Sequence, residues 1–255
     1  MEKLLETIEL SKSFGGIKAV QDFIIHINKG EVVGLIGPNG AGKTTLFNLL
    51  TGVYKPTTGK IMFEGKDISG RKPYQITALG IARTFQNIRL FGELSVLENV
   101  KTAFTLHANY SLAEAVGRIG RYGKVEQSID DQGRELLKMF HLEKLADEQA
   151  KNLPYGQQRR LEIARALATG PKLLLLDEPA AGMNPQETQE LTEMIHWVRD
   201  KFDLTVLLIE HDMALVMTIC ERIYVLDYGK ILAEGVPDEI KTNPAVIKAY
   251  LGTEE

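Results

Sequence analysis

The 255-residue sequence holds one cysteine, so no disulfide can form within the chain. Cys220 stands near Met217 and Ile219, the setting of a small core residue and not of a nucleophile. No stretch approaches the ~20 apolar residues that a membrane-spanning helix needs. The opening MEKLLETIEL is too charged, and too short in apolar residues, to read as a secretory signal. A cytosolic protein is expected, or one held at a membrane only through a partner. Lysine and arginine total 30 against 34 acidic residues, a net charge of −4, so there is no basic field and nucleic acid is not expected as a partner. No domain-sized repeat and no low-complexity linker occur, which leaves one catalytic unit. With 44% hydrophobic residues, the length suits one large globular domain, or one domain carrying an inserted subdomain, with a substantial core.

Patterning divides this chain into three stretches. Short β-rich runs open it: Leu4 to Leu10, Phe23 to Ile27 with alternation around His26, and Val32 to Ile36. They predict an antiparallel patch. Lys60 to Glu64 and Ile81 to Phe85 read as further strands, with a helix from Pro73 to Leu79 between them. From Ser95 to Gln149 the pattern is nearly continuous helix, with Ser95 as N-cap and Glu98 completing a capping box. Gly117 to Lys124, rich in glycine and cationic residues, reads as a loop inside it. After Lys172, apolar strands (Leu173 to Leu176, Thr205 to Glu210, Arg222 to Leu226) alternate with helices (Glu187 to Lys201, Met213 to Cys220). That alternation predicts a parallel sheet with crossover helices.

Two apolar strands deliver the chemistry. Val32 to Ile36 runs into GPNGAGKTT, which matches G-x-x-x-x-G-K-[ST] from Gly37 through Pro38, Asn39, Gly40, Ala41 and Gly42 to Lys43 and Thr44, with Thr45 following. Gly40 and Gly42 free backbone N–H groups to turn toward phosphates, and the helix starting near Lys43 adds its N-terminal dipole. Lys43 supplies a point charge for the phosphates and Thr44 a hydroxyl ligand for Mg²⁺. LLLLDEP carries Asp177 and Glu178 to the sheet edge where open α/β folds bind ligands. Asp177 is expected to hold Mg²⁺ and Glu178 to polarise the attacking water. Thr205 to Ile209 ends in Glu210-His211-Asp212, which puts His211 at the same edge, either as a γ-phosphate contact or as a solvated loop histidine.

With Gln86 in RTFQN, and with LPYGQQRRLEIARAL just ahead of the acidic strand, the sequence resembles the ATP-binding cassette subunits of transporters. The order of phosphate loop, glutamine loop, signature, acidic strand and histidine matches that family over nearly the whole chain. The resemblance implies an α/β phosphate-loop NTPase core, a mixed sheet with an antiparallel β patch, over 1–86 and 160–255. It implies an inserted α-helical subdomain over 87–159. It makes ATP and Mg²⁺ the cofactors, with Gln86 a metal ligand linking the site to the subdomain. Phe14 in SFGG becomes the aromatic that stacks on adenine, although a phenylalanine at a strand end also serves as core. Tyr155, Gly156 and Gln157 become the signature residues facing the ATP of a second cassette, in a homo- or heterodimer.

The signature departs from the family's LSGGQ. Leu153-Pro154-Tyr155-Gly156-Gln157 lacks the serine, and Pro154 has neither a hydroxyl nor an N–H. Asn184 stands where the family has aspartate. Either this is tolerated drift, or the two ATP sites of a pair are unequal. With AAGMNPQET and the ending LAEGVPDEIKTNPAVIKAYLG, the sequence is similar to the larger ATP-binding subunits of bacterial high-affinity branched-chain amino acid importers. Their partners are two permeases, a second cassette and, indirectly, a periplasmic binding protein, and their place is peripheral, at the cytoplasmic face of the plasma membrane. Lipopolysaccharide export is the alternative within the family. A soluble cassette protein acting on ribosomes or DNA, and a phosphate-loop kinase or GTPase, lack support in the motifs. Asn87 to Glu93, with Leu90 and Phe91, is the expected permease-docking surface, or else packs on the subdomain.

Overall fold

The computed structural model describes residues 2–251. The chain folds as two compact units, one from the segments up to Gln86 and from Lys172 onward, the other from Asn87–Pro171. In the first unit the chain passes through β1 (Lys3–Phe14), β2 (Ile17–Phe23), β3 (His26–Asn28), β4 (Val32–Ile36), α1 (Lys43–Leu50), β5 (Thr58–Phe63), β6 (Lys66–Asp67), α2 (Pro73–Ala78) and β7 (Ile81–Arg83). The second unit carries α3 (Val96–Phe104), α4 (Leu112–Gly117), α5 (Tyr122–Met139) and α6 (Tyr155–Leu167). The return segment adds β8 (Leu173–Asp177), α7 (Pro185–Phe202), β9 (Thr205–Ile209), α8 (Met213–Ile219), β10 (Arg222–Asp227), β11 (Lys230–Gly235), α9 (Pro237–Thr242) and α10 (Pro244–Leu251).

The main sheet has the order β11-β10-β4-β9-β8-β7. Its neighbours are parallel except for the β10–β11 hairpin. Every residue of β4, β8 and β9 is buried. A parallel sheet covered on both faces requires such unbroken apolar runs, and each buried leucine contributes about 2 kcal/mol. The second sheet is antiparallel, β2-β1-β5-β6, with β3 also paired to β1. The expected strand from Phe23 to Ile27 is broken. Phe23 closes β2 and His26 opens β3, because Thr7 takes over Ile25, its N–H donating to the Ile25 carbonyl and its hydroxyl accepting the Ile25 N–H. The alternation survives the break: Phe23, Ile25 and Ile27 are buried and Ile24 is exposed.

In the helical unit, Ser95 caps α3 as expected, accepting the Glu98 N–H while Glu98 accepts the Ser95 N–H. The helix is not continuous to Gln149: it breaks after Phe104, and α5 starts at Tyr122, inside the stretch expected to be loop. The unit extends to Pro171 and not to residue 159, because α6 packs on α3 and α5 and so belongs to it.

Candidate nucleotide site

The loop from Gly37 leads from the end of β4 into α1, with Gly42 as the helix N-cap. Gly42 has φ 107°, and a Cβ there would lie 2.4 Å from the Ala19 carbonyl oxygen. At Gly37 (φ 150°) a Cβ would lie 2.2 Å from the Leu226 carbonyl oxygen. The loop is therefore packed against β2 and β10 from behind, which leaves its N–H face and the uncapped N-terminus of α1 for an anion. Lys43 is buried, and its ammonium donates to the Gly37 and Pro38 carbonyls at 2.6 and 2.9 Å. Burial lowers its pKa, opposed by the nearby charges of Glu178 and Asp177. Thr44 is exposed and Thr45 half-buried on the first turn.

At the end of β8, Asp177 is buried and ion-paired with Arg83 at 2.5 Å, and Arg83 also donates to Asn48 at 2.8 Å. Glu178 turns away from the strand in a left-handed conformation, φ 45°, with its N–H on the Ile209 carbonyl. Its two carboxylate oxygens are separately held: Gln86 Nε2 donates to one at 2.6 Å and His211 Nε2 meets the other at 2.8 Å. Residues from the ends of three strand segments thus converge on one carboxylate.

Behind His211 lies a group to which the sequence pattern had given no role. Glu210 is buried, accepting the Ala180 N–H on one oxygen and the His211 and Asp212 N–H groups on the other. Burial raises its pKa, opposed by those three backbone donors. Asp212 caps α8. Glu210 so fixes the turn that carries the histidine, and its only sequence signal was an acid closing an apolar strand. Arg83 and Asn48 were likewise unassigned.

Phe14, at the end of β1, is 41% exposed, so it is not core; Tyr54 meets its ring edge-on at 5.1 Å and Lys12 lies 4.9 Å above it. In the helical unit, Tyr155, Gly156 and Gln157 form the first turn of α6, with Pro154 as an N-cap that offers no side-chain bond. The Tyr155 hydroxyl accepts from Arg159, which is fully buried and paired with Glu162 at 2.7 Å. Phe91 is 51% exposed and lies under Arg165, while its backbone is held at both ends by buried Asn99. Asn184 is the N-cap of α7, accepting the Glu187 N–H. Among the described residues, no helix is long and apolar enough to cross a membrane.

A family model described as ABC transporter matches residues 20–181. The chain belongs to this family. It is an ATPase of the ABC type, with the α/β phosphate-loop fold. A second model, described as branched-chain amino acid ATP-binding cassette transporter, matches residues 230–255. The high-affinity branched-chain amino acid transport ATP-binding protein LivG of Salmonella typhimurium is 47% identical over 98% of each chain. The corresponding BraF of Pseudomonas aeruginosa is 45% identical, again over 98% of each. The lipopolysaccharide export ATP-binding protein LptB of Escherichia coli is 35% identical over 95% of each. A crystal structure of an ATP-binding cassette in its ADP conformation superimposes with a TM-score of 0.84 at 33% identity, covering 99% of this chain and all of that one.

Proposed function

We propose that this cassette drives the import of branched-chain amino acids, paired with a second cassette and docked on permeases at the cytoplasmic face of the membrane, with a periplasmic binding protein delivering the cargo. The observation that carries this reading is the 47% identity to LivG along 98% of both chains, together with the match over residues 230–255. The lower identity to LptB favours import over lipopolysaccharide export. Phe91, half exposed beside Arg165, supports a docking role for its segment.

ATP sits with its phosphates on the loop from Gly37 to Thr45, where Lys43 exchanges carbonyl partners for phosphate oxygens, and with its base on Phe14. The Thr44 hydroxyl, the Asp177 carboxylate and the Gln86 carbonyl make an all-oxygen donor set that suits a hard cation, so the residues fit Mg²⁺. A cation held by these residues would supply positive charge to offset that of the phosphates. Gln86 donates through its nitrogen to Glu178, and its side-chain oxygen is the atom of the chemical type that would ligate the cation. Glu178 orients and polarises the attacking water. Gln86 and His211 fix its two oxygens, and Glu210 fixes the turn of His211. The signature turn at Tyr155 to Gln157 serves the ATP of the second cassette.

Gentle affinity purification from detergent-solubilised native membranes in ATP tests the assembly. Two multi-span permeases and a second cassette are expected, followed by ATP-dependent uptake of radiolabelled leucine. Recovery of lipopolysaccharide-export permeases would replace the import reading, and recovery of a ribosome without membrane proteins would remove the transport role.

A further inference from the structure

The end of β1 is stapled to the segment between α1 and β5. On either side of Lys12, the Ser11 carbonyl accepts the Thr57 N–H at 2.8 Å and the Ser13 N–H donates to the Thr57 hydroxyl at 3.0 Å. The Lys12 ammonium itself donates to the Lys55 carbonyl at 2.9 Å. Phe14 closes the strand, paired with Ile17 across the Gly15-Gly16 turn. Its backbone is therefore held by the hairpin and the staple, and the freedom left to it is that of its ring.

The ring is gripped from two directions. Residues two apart on a strand share a face, and the half-buried Lys12 places its ammonium over the Phe14 ring, 4.9 Å from the centroid, and 5.8 Å from that of Tyr54. Tyr54 meets Phe14 edge-on, with centroids 5.1 Å apart and the planes at 73°. Tyr54 packs on the core, and its N–H donates to the Asn48 carbonyl at 2.9 Å, so it is tied to α1, the helix that leaves the phosphate loop. A nucleobase stacks on the face of an aromatic ring. With the ammonium over one face and Phe14 still 41% exposed, the opposite face is the one left for a base. We propose, resting on the placement of the base on Phe14 given above, that Lys12 is a positioning residue for nucleotide binding: fastened to the Lys55 carbonyl, its ammonium holds the Phe14 ring with the opposite face presented to adenine. A ring ordered before the nucleotide arrives does not have to be ordered at the expense of affinity.

Lys12→Met keeps an unbranched apolar stem and removes both the charge and the bond to Lys55. Calorimetric titration of the purified protein with Mg-ADP is expected to show a Kd raised roughly threefold, the worth of a partly exposed cation over a ring. Magnesium pyrophosphate, which reaches the phosphate loop but has no base, should bind as it does to the wild type. Lys12→Arg, which keeps a cation over the ring, should restore most of the affinity for ADP. An unchanged Kd for ADP in Lys12→Met overturns the proposal, and so does a lowered one, which would show that the ammonium occupies the face the base needs. An equal rise for pyrophosphate, or no rescue by arginine, also overturns it and marks Lys12 as general packing. Phe14→Ala separates two failures. If it weakens ADP while Lys12→Met does not, only the role of Lys12 falls; if it leaves the Kd for ADP unchanged, the placement of the base on Phe14 falls and the role of Lys12 with it.

Discussion

Arg83 and Asp177, 94 positions apart, form an ion pair at 2.5 Å with side chains only 7% and 6% exposed. The carboxylate expected to serve a cation is thus held by a guanidinium that also stacks over Phe47 and Phe85. Removing one partner leaves a buried charge uncompensated. Arg83→Met should destabilise the protein by about 3–5 kcal/mol, whereas the double substitution Arg83→Met with Asp177→Leu should recover most of that loss. The double variant also removes Arg83 Nε, a buried donor without a partner. Urea unfolding of the four proteins measures the cycle, and equal losses in the single and double variants would refute the pairing account.

Glu178 combines a chemical role with a backbone conformation that suits glycine, φ 45°. A left-handed non-glycine residue carries a strain of about 1 kcal/mol. Glu178→Gly should therefore abolish hydrolysis while keeping the unfolding free energy at or above that of the parent. Glu178→Gln, which retains the strain, should lower ATP turnover at least about 100-fold and still bind ATP. Turnover assays beside thermal unfolding separate the two effects. Brisk hydrolysis by Glu178→Gln would remove Glu178 from the chemistry.

The raised pKa of Glu210 makes stability pH-dependent in a definite direction. Burial favours its protonated form in the folded state relative to the ordinary value of 4.5. Between those two values the folded protein holds more protons than the unfolded chain, so this group's contribution to stability falls as pH rises through the window above 4.5. The difference in unfolding free energy between wild type and Glu210→Gln should shift against the wild type from pH 4 upward. A difference that stays flat, or moves the other way, would show that the three backbone donors outweigh burial.

The parts of the site visible in the sequence are those whose physics is local. The phosphate loop is contiguous, and β4, β8 and β9 are apolar at every or nearly every position because both faces are covered. β2 escaped notice because Lys18, Gln21 and Asp22 lend it the composition of a loop. The β10–β11 hairpin closes through Tyr228-Gly229, and α9 and α10 are six and eight residues long, too short for a periodic signal. Arg83 stood within a quoted motif, yet nothing in its neighbours names Asp177 as its partner. Long-range pairings of this kind are invisible to spacing because the fold alone brings the partners together.

The altered signature gives the sharpest test of unequal ATP sites, but the two substitutions that would restore the family pattern are not equivalent. Tyr155 supplies a hydroxyl and a ring face to Arg159, which is wholly buried, so replacing Tyr155 with glycine should destabilise the helical unit by about 1 kcal/mol or more whatever it does to activity. Pro154 has no such duty. As N-cap of α6 it makes no side-chain cap bond, at a place where serine contributes about 1 kcal/mol. Pro154→Ser alone should therefore stabilise the helical unit and, in the assembled pair, raise hydrolysis at the partner cassette's site by supplying a hydroxyl donor to its γ-phosphate. Single-turnover hydrolysis, with this chain's own site disabled by Glu178→Gln, isolates that contribution. A stabilised protein with an unchanged rate would mean that the signature works through its backbone and helix end alone.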